Sequence, residues 1–154
     1  MVDMNHTNVW LLGEILIQQG LISWAQLDEA LEEQKENGRL TGEILVEKGM
    51  VSNPRVYQAL AIQAGLKYVV LGELRPEKTA LEIVPRRLIY QHRILPLIKK
   101  GQTLMIAICN PLRPWPEEEL KSLTQVSDVR LVLCCPEDLE EALNRYFGPE
   151  SISV

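Results

Sequence analysis

Two glutamines, Gln34 and Gln63, are the side chains whose type and placement most invite chemistry. Each lies three residues beyond a leucine (Leu31, Leu60) and seven beyond a second apolar residue (Leu27, Val56), so each ends an apolar stripe on one helix face. A primary amide there offers donors and an acceptor to a planar polar edge such as a purine, while the adjacent aliphatic surface accepts the ring face. The plain alternative is that glutamine is a good helix former that tolerates a half-buried last turn. For two glutamines at matched positions both readings stand.

The elements that must position them are duplicated. Gly13 matches Gly42, Gly20 matches Gly49, Ser23 matches Ser52, Ala30 matches Ala59, Leu31 matches Leu60 and Gln34 matches Gln63, every pair 29 positions apart. Two copies are too few for a solenoid, so a pseudo-symmetric pair of helix-turn-helix units is expected, able to present two similar half-sites. In each copy a short apolar helix (9–17, 40–46) stops at Gly20 or Gly49. A second helix follows. Ser23 and Gln26 have the spacing of a capping box, and Ser52 or Asn53 caps the other copy with Pro54 in its first turn. Leu16, Leu27 and Leu31 correspond to Leu45, Val56 and Leu60.

Beyond Gly65 the pattern changes. Tyr68 to Leu71 reads as a short strand, 77–82 and 85–92 as short helices, and Ile94 to Ile98 with Thr103 to Ile108 as a hairpin around Gly101. A helix over 117–123, a strand from Val129 to Leu133 and a last helix opened by Pro136 complete the chain. The fold class is therefore α+β: a helical tandem-repeat subdomain over 9–65 and a small α/β subdomain with a mixed sheet, its helices on one side, over 66–148. Residues 1–8 and 149–154 are expected to be tails, the first of them disordered.

Composition excludes several function classes. The chain has 154 residues, 46% of them hydrophobic, a formal net charge of −5 and a pI near 5.1. An acidic chain is a poor partner for a nucleic acid polymer or an anionic membrane. Nothing approaches the ~20 apolar residues of a spanning helix, and no secretory signal opens the sequence, so direct membrane insertion is not expected. Cys109, Cys134 and Cys135 lack Cys-x-x-Cys spacing, which fits a reducing, cytoplasmic setting. His6 and His92 have no histidine at helical spacing, so no metal site is expected. No catalytic constellation is present, and no Gly-x-x-x-x-Gly-Lys-Ser/Thr phosphate loop occurs.

The segments LGEILIQQGLISWAQLDEALEEQ and TGEILVEKGMVSNPRVYQALAIQ, followed by KYVVL, IVPRRLIYQHRILPLIKKGQTLMIAICNP and PEDLEEALNRYFG, resemble the N-terminal domain of type II secretion and type IV pilus assembly ATPases. They are similar in particular to the MshEN-type domain that binds cyclic-di-GMP. The resemblance covers about Val9 to Gly148. It implies a regulatory, non-enzymatic domain with no cofactor, whose ligand is cyclic-di-GMP and whose partners are a secretion or pilus ATPase and an inner-membrane platform protein. Carried over motif by motif, it implies ligand contacts from Leu11, Leu12, Gly13, Leu27, Leu31 and Gln34 in the first copy. In the second copy it implies Leu40, Gly42, Val56, Leu60 and Gln63.

This chain departs from the family pattern at the motif start. Members that bind cyclic-di-GMP carry Arg-Leu-Gly, whereas the residues here are Leu11-Leu12-Gly13 and Leu40-Thr41-Gly42. Each lost arginine removes a charge-assisted bond of roughly 1.5–3 kcal/mol. Arg39, one residue before the second position, is the candidate to compensate. Two expectations follow: a ligand-sensing domain with cyclic-di-GMP across both motifs, or a protein-interaction domain docking to the platform protein without nucleotide.

Overall fold

A glycine in the left-handed region ends the first helix of each repeat. Helix α1 (described over residues 12–18) stops at Gly20, φ 74°, and α3 (Thr41–Glu47) stops at Gly49, φ 75°. Leu21 N donates to Leu16 O and Met50 N to Leu45 O, each at 3.0 Å, the six-to-one bond that closes a Schellman stop. A side chain at either glycine would be strained by φ alone. The computed structural model describes residues 12–111 and 115–148, which divide into two compact units between Gly65 and Leu66. The expected tails at 1–8 and 149–154 lie outside the described residues.

In the first unit the long helices are α2 (Trp24–Asn37) and α4 (Asn53–Ala64). The capping box forms: Gln26 N donates to Ser23 Oγ at 3.1 Å and Ser23 N donates to Gln26 Oε1 at 2.9 Å. Ser52 occupies the equivalent cap position without a side-chain bond, and Pro54 lies in the first turn. The copies differ in length, 14 residues in α2 against 12 in α4, so Gly38 and Gly65 cap them at unmatched positions. Burial otherwise repeats. Leu16, Leu27, Ala30, Leu45 and Ala59 have no accessible surface, and Leu31 and Leu60 pack half-buried against the same core. Each fully buried leucine stabilises the unit by about 1.5–3 kcal/mol.

The second unit runs β1 (Lys67–Tyr68), a 3-10 turn (Leu71–Glu73), α5 (Lys78–Ile83), α6 (Arg86–His92), β2 (Ile94–Lys100), β3 (Thr103–Ile108), α7 (Glu117–Thr124), β4 (Asp128–Leu133) and α8 (Pro136–Phe147). Its sheet has the order β1-β4-β3-β2, with β1 and β3 parallel to β4 and β2 antiparallel to β3. The mixed sheet of the sequence reading is therefore present. The strand expected from Tyr68 to Leu71 is shorter, because its partner β4 ends at Leu133; the last ladder bond is Val69 N to Leu133 O at 2.8 Å. With no strand left to pair, the chain tightens into the 3-10 turn and buries Leu71.

One sheet face buries Leu104, Ile106, Ile108 and Leu133; the other buries Ala107 and Val132 at one end and leaves Ile98 and Arg130 exposed at the other. Burial thus reaches both faces at the end where α8 begins. The outer edge of β2 is occupied by Glu77, whose N–H donates to Leu97 O at 2.8 Å and whose Oε1 accepts from Lys99 N at 3.1 Å. Filling an edge in this way removes a template for strand addition.

Candidate ligand-binding site on the tandem repeat

The helix pairs place the motif residues in three groups. The first is internal. A Cβ at Gly13 would lie 2.6 Å from Leu27 Cδ2, and one at Gly42 would lie 2.9 Å from Val56 Cγ1. The two repeats thus use one contact: the short helix approaches the long one through a glycine, and the space a side chain would need is filled by the residue fourteen positions on. Leu12, Gly13, Leu27, Gly42 and Val56 are all buried, so they set the crossing of the helices beneath any ligand surface.

The second group reaches the surface. Gln34 and Gln63 are half-buried, as are Leu31 and Leu60 one turn before them, while Leu40 is 62% exposed. Gln34 O accepts from Gly38 N at 2.8 Å, so the backbone beneath that amide is fixed by the helix cap. Ile62, beside Gln63, is 58% exposed. Sequence reasoning passed over it because it stands off the stripe of Val56, Ala59, Leu60 and Gln63. Leu11 lies outside the described residues.

The third group is charged. Arg39 pairs with Glu47 and, at 4.0 Å, with Glu43, both on α3. Pairs of this exposure contribute roughly 0–1 kcal/mol, which a phosphate could outcompete. Lys48 holds Glu33 at 3.2 Å and Glu29 at 3.4 Å across the α2–α3 junction. Those hydrogen bonds, Glu33 first, raise its pKa above the ordinary lysine value. Thr41 is an unexpected feature: it is 3% exposed, and its Oγ1 has no hydrogen-bond partner among the described residues. It stands where the first copy has Leu12, and a hydroxyl-bearing residue in place of an apolar one was the available signal.

Other sites offer less. No group of three or more His, Cys, Asp or Glu able to hold a metal occurs among the described residues. A shallow groove of about 40 Å³ between the 3-10 turn and α8, lined by Leu71, Asp138, Arg145 and Tyr146 among others, is far below the roughly 300–1,000 Å³ of a ligand pocket. No helix among the described residues is long and apolar enough to cross a membrane.

Residues 64–153 match the MshEN domain. That match begins where the tandem repeat ends. Over 143 residues the chain is 30% identical to the type IV pilus assembly ATPase PilB of Myxococcus xanthus strain DK1622, covering 93% of this chain and 25% of that protein. The chain therefore spans a quarter of the length of that relative. A solved structure of MshE with cdg matches with a TM-score of 0.75 at 29% identity, covering 88% of this chain and 98% of that one. The N-terminal domain of XpsE matches with a TM-score of 0.64 at 18% identity, over 92% and 96% of the two chains, and speaks to the fold alone.

Proposed function

The chain belongs to the MshEN domain family, and from that footing we propose that it is a non-catalytic, cytoplasmic regulatory domain of a type IV pilus or type II secretion ATPase that binds cyclic-di-GMP across its two motifs. The observation that carries the reading is the pair Gln34 and Gln63, both half-buried at the same repeat position beside half-buried Leu31 and Leu60. A guanine edge would bond the amide while its face covers the leucine. The likeness to MshE with cdg supports the choice of ligand, cdg being cyclic-di-GMP. Hydrolysis of a nucleoside triphosphate is left to a partner or another segment, since these residues contain no phosphate loop.

Leu40 favours a second reading. An exposed leucine where the motif calls for arginine suits an apolar protein contact, and the partner would be an inner-membrane platform protein. Calorimetric titration with cyclic-di-GMP, with the linear dinucleotide as control, separates the two. Saturable binding of the cyclic form alone is expected. No heat at millimolar ligand would favour the docking reading, which a pull-down against the platform protein then tests.

A further inference from the structure

Two cysteines that stand 25 positions apart are brought side by side by the second unit. Strands β3 and β4 run parallel and in register, with Ala107 opposite Val132 and Ile108 opposite Leu133. Cys134 N donates to Ile108 O at 2.9 Å, the bond that completes the last rung of the ladder, Ile108 with Leu133. Cys109 and Cys134 are therefore the residues that directly follow the last rung on the two neighbouring strands, Cys109 at a bend, and they are near enough for the Cys109 thiol to act electrostatically on that of Cys134. Neighbouring strands are about 4.8 Å apart, inside the roughly 4.4–6.8 Å Cα separation that a disulfide spans. Both residues lie just past the regular strands, where the backbone is freer to adjust than within the ladder.

The pair is also chemically asymmetric. Cys134 has no accessible surface and its Sγ lies 3.5 Å from Ile108 O, whereas Cys109 is half-buried. Burial first, then the neighbouring Cys109, pushes the Cys134 thiol far above the ordinary cysteine value. Cys134 is thus protected from a reagent in solution, and attack begins at the more accessible thiol. Cys135 is engaged elsewhere: its Sγ donates to Glu137 Oε2 at 2.9 Å at the start of α8.

We propose that Cys109 and Cys134 form a reversible oxidative modification site, closing to a cross-strand disulfide by exchange with a low-molecular-weight disulfide. The Cys109 thiolate attacks one sulfur of the reagent and expels one small thiol, which takes up the proton Cys109 lost. Cys134 then attacks the Cys109 sulfur of the mixed disulfide, and its proton leaves with the second small thiol. Two protein thiols are oxidised and one small disulfide is reduced to two thiols. The bridge ties the end of β3 to the residue two before α8, at the point where both strands leave the sheet.

The test is incubation of the full chain with oxidised glutathione, followed by intact mass and peptide mapping. A mass lower by two hydrogen atoms, a peptide joining Cys109 to Cys134, and reversal by dithiothreitol are expected. Cys135→Ser should still close, while Cys109→Ser should not. Closure should raise the melting midpoint by several degrees, through the shortened unfolded loop. A glutathione adduct on Cys109 that never resolves, a bridge to Cys135, or unmodified protein overturns the proposal. Because Cys109→Ser alters a half-buried site beyond the strand, its native circular dichroism serves as the folding control.

Discussion

Gly13 and Leu27 share one volume: the Cβ that Gly13 lacks would lie 2.6 Å from Leu27 Cδ2 and 2.8 Å from its Cδ1. Leu27 has no accessible surface, so its methyl groups can move only by displacing their core neighbours. Gly13→Ala gains up to about 1 kcal/mol in helix propensity but overpacks the core by about 1–3 kcal/mol, so a net loss of stability is expected. At Gly42 the opposing atom is Val56 Cγ1, on a side chain stiff at χ1, and the same sign is expected. Urea denaturation reads both. Combining Gly13→Ala with Leu27→Ala should recover part of the loss in a double-mutant cycle, and strict additivity would refute the shared volume.

Thr41 carries a buried hydroxyl without a partner among the described residues. Thr41→Val keeps the shape and removes the unsatisfied group, so a gain of about 1 kcal/mol is expected. A destabilised variant would mean that the hydroxyl is bonded in solution.

Gln34→Ala and Gln63→Ala should each weaken cyclic-di-GMP binding by about 1–3 kcal/mol, or roughly 5- to 150-fold in Kd, with little change in folding. Leu40→Arg should tighten it, as should Leu11→Arg. Freeing Arg39 by Glu47→Gln is expected to act in the same direction, since Glu47 is its ion-pair partner. Glutamine variants that bind like the parent would sink the half-site reading.

The second unit should lose stability as pH rises above about 9. Burial first, then the hydrogen bond to Glu137, pushes the Cys135 thiol from its ordinary value near 9 to about 12. Burial likewise pushes Tyr68 up to about 12, with Cys135 and Asp138 adding to the shift. Cys134 moves in the same direction. Each folded-state pKa exceeds the unfolded one, so the unfolded chain releases protons first. The stability these groups contribute is whole below about pH 9 and declines toward about 12. Urea midpoints measured from pH 7 to 11 report it, and Cys135→Ala with Tyr68→Phe should flatten the decline.

Much of the fold was legible because it is local. The 29-residue interval, the stops at Gly20 and Gly49, the Ser23–Gln26 box, Pro54, Pro136 and the hairpin about Gly101 each act within a few residues of themselves. Helix and hairpin positions follow from such signals alone. Pairings between distant segments do not. That β1 stops after Tyr68 depends on where β4 ends, and that Gly13 must be glycine depends on Leu27, a buried side chain on another helix. The stripe of Leu27, Leu31 and Gln34 fixed a helical face, but burial alone separates Leu27 in the core from Gln34 at its edge. The meeting of Cys109 and Cys134 belongs wholly to the tertiary structure, because a parallel register joins residues no local rule connects.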